Sequence, residues 1–233
     1  MFRILVILIA LLAGQPALSG AWAREKGEWF IAFGGNFWLS DGSELPVHYD
    51  PTLYAEFGLT DRITVGLDSH LADAGRIASD FIFFTVPVGD LEAQNRFAVG
   101  VGFGLRRTLH TPTNLATADF SYLRTEELLR GSVSWGRGYE SGWYAVDASA
   151  TLAVSENKWR PKADLTWGRH WNDHWTTTVQ LQTGQGFTDD YYAKISPSVI
   201  YHWNDYFSIS VGAVQGLTGD KGAGMKLETW ITF

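Results

Sequence analysis

The sequence predicts an all-β protein, a transmembrane antiparallel up-and-down β-barrel, on three observations. An N-terminal segment has the make-up of a secretory signal. The rest of the chain alternates apolar and polar residues in segments of about ten, the pattern of strands with one face to lipid and one to a polar interior. The last ten residues read as one more such strand and end on an aromatic.

The signal comes first. Arg3 supplies a positive start, Ile4 to Ala13 is an uninterrupted apolar run, and Pro16 breaks it. Ala21-Trp22-Ala23 puts small residues at the two positions a signal peptidase reads, so residues 1–23 are expected to be cleaved. That leaves 24–233 as a single barrel domain of 210 residues (233 minus 23). The run is too short to span a membrane: ten helical residues reach about 15 Å, half a bilayer core. Beyond it the longest apolar stretch is Phe81 to Phe84, extended by Val86, so no transmembrane helix is expected.

Composition agrees. The chain holds 25 Gly, 11 Trp, 9 Tyr and 14 Phe, yet its mean hydropathy is only −0.07, because polar residues interleave the apolar ones. The lack of Cys excludes a disulfide framework, thiolate metal sites and a Cys nucleophile. A net charge of −7 without a basic cluster argues against a nucleic-acid partner.

Twelve segments follow the alternation, near 28–39, 50–59, 63–70, 80–88, 96–106, 126–135, 143–154, 159–170, 175–184, 191–202, 207–215 and 224–233. In the clearest, Trp175, Thr177, Val179 and Leu181 share one face while Thr176, Thr178, Gln180 and Gln182 share the other. The fourth is apolar on both faces and its register stays open, the sixth is the least regular, and ten strands is the alternative count. Pro51, Pro161 and Pro197 would face lipid, and each lacks a backbone donor, which predicts a bulge or a locally broken ladder. Thr60-Asp61-Arg62, Trp171-Asn172-Asp173-His174 and Trp203-Asn204-Asp205-Tyr206 are short turns with Asp as the expected turn residue. All three fall on the same side of a twelve-strand barrel, the periplasmic side, with longer connections such as Ser40 to Tyr49 and Arg107 to Thr125 opposite.

The final strand sets Met225, Leu227, Thr229, Ile231 and Phe233 on one face and Lys226, Glu228, Trp230 and Thr232 on the other. In this it resembles the outer-membrane β-barrel proteins of Gram-negative bacteria, which end in such a strand with a C-terminal aromatic. The resemblance implies an outer-membrane location, contact with outer-membrane lipid, and recognition of Phe233, Ile231 and Leu227 by the barrel-assembly machinery. Trp29, Phe97, Trp135, Trp143, Tyr144, Trp171, Trp175, Tyr201, Trp203, Phe207 and Phe233 gather at the periplasmic ends, where a headgroup girdle is expected. The competing fold, a soluble β-sandwich, would expose these aromatics to water.

The alternation also names the interior. Glu56, Asp68, Asp147, Asp164 and Glu228 are expected to face the lumen, with Arg106, Arg130, Lys162, Lys194 and Lys226. Equal numbers of acids and bases fit either paired charges that fill the interior or a polar constriction. Gly100, Gly102 and Gly104 leave a stripe of wall without side chains, to be covered by aromatics such as Tyr54 or Trp38 or left open for a ligand. No metal-ligand spacing, phosphate loop or cofactor motif is present. Of the histidines, His170, His174 and His202 lie beside inner turns. Asp68-Ser69-His70 is the one cluster that suggests hydrolysis, but alternation sends Ser69 to lipid and its neighbours inward, while Asp80 could reach His70. The expected function is a narrow channel for small polar solutes or ions; the alternatives are a structural barrel with a filled polar lumen and a lipid-modifying hydrolase.

Overall fold

The computed structural model describes residues 20–40, 47–110, 122–186, 189–219 and 222–233. Strands β1 (Trp29–Ser40), β2 (His48–Thr60), β3 (Ile63–Ala72), β4 (Ile77–Val88), β5 (Asn95–His110) and β6 (Tyr122–Tyr139) make the first half. The second half is β7 (Gly142–Ala153), β8 (Lys158–His170), β9 (Trp175–Gln185), β10 (Tyr191–Asn204), β11 (Phe207–Thr218) and β12 (Ala223–Thr232). Each pairs antiparallel with its sequence neighbours, and β12 returns to β1, closing a 12-strand up-and-down barrel. Closure removes every sheet edge, which is the condition for crossing a bilayer with strands.

The outer wall is apolar because alternate residues of each strand are. On β5, Phe97, Val99, Val101, Phe103 and Leu105 all stand exposed, and on β12 so do Met225, Leu227 and Phe233. An apolar belt of this kind is unstable in water and natural in lipid. The fourth strand resolves the same way: Ile82, Phe84, Val86 and Val88 are exposed, whereas Phe81 is buried. Inner and outer faces are therefore both apolar on β4, which is why alternation could not choose between them. The strands β5 and β6 run past their expected ends, taking Arg107–His110 and Tyr122–Thr125 out of the connection and into the sheet. The remainder of that connection, 111–121, and 41–46 of the first one lie outside the described residues, as do 1–19 of the signal.

At Pro197 the expected break occurs. β10 pairs with β11 at Ile195↔Gln215 and resumes only at Ser198↔Gly212. The Ser196 hydroxyl fills the gap by donating to Ala213 O at 3.0 Å. Pro51 and Pro161 are accommodated differently: each is paired on one side, while the ladder on the other begins one residue later, at Thr52 and Lys162. The three short turns on the side expected to be periplasmic are built by residues other than the expected Asp. Asn172 Oδ1 accepts from the amides of His174 and Trp175 at 2.9 and 3.0 Å, and Asn204 Oδ1 from Tyr206 at 2.9 Å. Thr60 Oγ1 does this for Arg62 at 3.2 Å, and Asp61 instead receives the Lys26 amide at 3.3 Å. Most of the aromatic girdle is exposed as expected, including Trp29, Phe97, Tyr144, Trp171, Trp175, Trp203 and Phe233. Trp143 is the exception: one step of alternation from Tyr144, it points inward and is 2% exposed.

Candidate functional site

The lumen is where polar side chains converge, and its chemistry follows from which strands can reach each other across it. Arg130 on β6 bonds Asp68 on β3 at 2.8 Å, with two strands between them on the wall, so the contact crosses the interior. The same guanidinium lies 3.5 Å over the Phe81 ring. Lys194 on β10 reaches Trp38 on β1, 4.7 Å from the ring, and flanks Tyr192 on its own strand at 5.6 Å. Glu56 takes the Arg24 guanidinium at 2.7 Å and the Tyr54 hydroxyl at 2.6 Å. Arg106 pairs with Glu126 directly across the β5–β6 ladder, and both are buried. Lys162–Asp164 (2.8 Å) and Lys226–Glu228 (3.0 Å) are pairs two residues apart on one strand face. Asp147 sits opposite Asp164 in the β7–β8 register.

Glu56, Asp68, Arg106, Arg130, Lys162, Asp164, Lys226 and Glu228 thus stand in ion pairs, and the partners Arg24 and Glu126 were not among the lumen charges expected from alternation. Glu126 shares the parity of Leu128 and Arg130, so the alternation carried it; the irregular start of β6 hid it. Arg24 precedes β1, where alternation says nothing.

Not all of the interior is polar. Phe30, Ala32, Ile200 and Trp230 form one buried apolar cluster with Tyr54 against it, and Phe81, Leu128 and Ala153 form another. The glycine stripe is covered, Gly102 and Gly104 by β4 and Gly100 by Ser132 of β6, rather than by Tyr54 or Trp38. A Cβ on Gly104 would fall 2.6 Å from the Phe81 ring, and one on Gly102 3.3 Å from Phe83 Cβ. Phe83 in turn stacks on Tyr54 at 5.6 Å. Trp38 is held elsewhere, donating to Asp50 at 2.9 Å. These groups fill much of the β1–β5 side of the lumen, and Leu128, Ala153, Ile200 and Trp230 carry the apolar filling on to β6, β7, β10 and β12.

The opposite side holds most of the hydroxyl and amide groups, between the buried Trp143, Ile200 and Trp230. Thr166, Thr178, Gln180, Ser196, Ser198 and Ser210, with Lys226 and Glu228, line a cavity of about 40 Å³ closed by Trp143 and Trp230. That is room for one or a few waters. Lys162, Asp164 and Gln182 continue this arc along β8 and β9. Towards the periplasm a hydrogen-bonded row follows. His170 Nδ1 meets Thr176 Oγ1 at 2.9 Å, Thr176 Oγ1 meets His202 Nε2 at 2.9 Å, and His202 Nδ1 meets Ser208 Oγ at 2.8 Å. At the outer rim, Glu156 accepts from Arg160 and Arg124 at 2.9 and 3.0 Å, and Asp189 pairs with Lys158 and Arg160. The Arg160 hydrogen bond holds Glu156 below the usual carboxylate range, and the Lys158 hydrogen bond does the same for Asp189.

The suggested hydrolytic cluster does not assemble. Ser69 donates to Asp80 at 2.5 Å on the outer wall, and Asp80 also pairs with Arg107. Asp68 is engaged by Arg130. The His202–Ser208 contact has the nucleophile–base form, yet the second ring nitrogen is taken by a threonine hydroxyl, where a triad needs an orienting carboxylate. Among the described residues no group of three or more His, Cys, Asp or Glu could hold a metal ion.

No protein-family model matches the chain, and no curated protein matches it. Solved structures do. The KdgM porin superposes with a TM-score of 0.58 at 8% identity, covering 88% of this chain and 99% of the porin, both alone and in complex with disordered oligogalacturonate. An outer-membrane channel from Pseudomonas putida F1 superposes with a TM-score of 0.55 at 11% identity, covering 95% of this chain and 98% of that one. At such identities the likeness is one of fold: this chain has the closed barrel of outer-membrane porins and channels.

Proposed function

We propose that this protein is an outer-membrane channel of narrow bore, passing ions and small polar solutes. The observation that carries the reading is the division of the lumen. Phe30, Tyr54, Phe81 and Phe83 fill much of the β1–β5 side, while hydroxyl, amide and paired charged groups from β8–β12 line a hydrophilic arc set between Trp143, Ile200 and Trp230. A lumen meant only to be filled needs no such arc, because apolar packing seals it at lower desolvation cost. The paired charges leave no strong field of either sign, so the solute is small and polar rather than a particular ion. That the KdgM porin was captured with a sugar acid supports the view that barrels of this shape admit polar solutes. Among the described residues the one Ser–His contact in the lumen, Ser208–His202, has no orienting carboxylate, which favours passage over hydrolysis.

Proteoliposome swelling tests the proposal. Vesicles containing the protein should swell in glycerol or arabinose faster than protein-free vesicles, with the rate falling for disaccharides. Swelling no faster than the empty control for every solute would leave the structural barrel, which the 40 Å³ cavity and the extensive ion pairing favour.

A further inference from the structure

The segment before β1 does not hang free of the barrel. Arg24 is 7% exposed; its side chain bonds Glu56 and lies over Phe30, and its backbone N–H donates to Thr64 Oγ1 at 3.2 Å. Four residues earlier the chain is against the other side. Trp22 lies on Gly136 of β6, where a Cβ would fall 2.2 Å from the indole, and Gly20 lies beside Ser134 and Asp147. Ala21 between them is 1% exposed. The segment therefore crosses the periplasmic mouth from the β2–β3 wall to the β6–β7 wall. A cavity of about 260 Å³, lined by Ala21, Ala23, Arg24, Asp61, Pro87 and Phe97 among others, lies between this strap and the β4–β5 turn.

Two glycines of the wall are matched to it. Gly136 leaves the flat surface on which the indole rests, and Gly58 leaves space for Glu25 O, 1.8 Å from where its Cβ would be. Gly58 also exchanges backbone hydrogen bonds with the segment, receiving Gly27 N–H at 2.8 Å and donating to Glu28 O at 2.9 Å. A cut before Arg24 would remove Ala21 and Trp22 and uncover Gly136. It would also turn the buried Arg24 amide, which has one donor and one acceptor partner in Thr64, into an α-ammonium with three donors. Extra donors buried without partners are costly.

We infer that the strap Gly20–Glu28 is part of the mature protein, that signal peptidase cuts after Ser19, and that the strap narrows the periplasmic mouth. Ala17 and Ser19 supply the small residues this cut requires, as Ala21 and Ala23 do for the later one. The inference rests on packing within the barrel and not on transport, so a protein that fails to conduct leaves it standing.

Two measurements decide it. Intact mass of the protein purified from outer membranes should correspond to Gly20–Phe233; a mass beginning at Arg24 overturns the assignment. The chain has no cysteine, so single Ala21→Cys and Glu25→Cys variants of the Gly20–Phe233 protein can be compared, each first shown to be folded by its heat-dependent gel shift. Position 21 should resist a bulky maleimide in the folded barrel and react in denaturant, while position 25, which is exposed, reacts in both. Equal reaction of the two folded variants would mean that no strap is seated.

Discussion

Replacing Arg130 by alanine removes a polar tie across the lumen. The guanidinium bonds Asp68 at 2.8 Å and covers Phe81, so its loss strands a carboxylate and bares a ring. Breaking a fully buried pair by deleting one partner costs about 3–5 kcal/mol. Here the side chains are 22% and 28% exposed, which lets water reach the orphaned carboxylate and lowers this to ~2 kcal/mol. The lost cation–π contact adds ~1 kcal/mol. A destabilisation of ~3 kcal/mol is therefore expected in urea unfolding of the detergent-folded barrel. Adding Asp68→Asn to Arg130→Ala should recover ~1–2 kcal/mol, because the stranded charge is then gone. Arg130→Ala within ~0.5 kcal/mol of the parent, or a double variant weaker than the single, would refute the reasoning.

Deleting Phe233 removes two backbone hydrogen bonds to Trp29 that close the β12–β1 seam, at 2.7 and 3.1 Å. The refolded protein should lose only ~1–3 kcal/mol, whereas the amount of folded barrel in cells should fall sharply if the terminal strand is the assembly signal; unchanged cellular levels would contradict that. In intact cells, cysteines at Asp173 and Asp205 in the inner turns should be silent to an impermeant maleimide and one at Arg76 in an outer turn should react; external labelling of Asp173 would invert the topology. At the outer rim Glu156 and Asp189 titrate below their usual range, so their pairing contributes fully above about pH 5 and is lost as pH falls from there through the depressed values. Hydrogen exchange in the turn 154–157 should hence be steady from pH 8 to pH 5, after correction for intrinsic rates, and rise only in acid; opening by pH 6 would contradict this pairing.

The barrel was legible because closure needs only parity, and parity survives in nearly every strand. Trp175 to Gln182 announces its two faces letter by letter, and three short turns on one side confirm the count of twelve. The same alternation that sends Val101 outward turns Arg106 towards Glu126 and Arg130 towards Asp68. It could not say who pairs with whom, because Arg130–Asp68 and Lys194–Trp38 meet across the interior between strands distant in the sheet. Nor could it orient β4, whose faces are equally apolar. The filled half of the lumen was missed for this reason, as Phe81 and Phe83 on β4 do much of the filling. The strap escaped because it lies outside any strand and in a stretch that reads as the end of a signal.

Single-channel recording in planar bilayers tests the central claim most directly. The protein should show small, discrete conductance steps with weak selectivity between cations and anions, and Arg130→Ala, having lost a luminal positive charge, should shift that selectivity towards cations. An insertion-competent, folded protein with no steps at any voltage, together with an equally silent Arg130→Ala, would contradict the channel and leave a closed structural barrel.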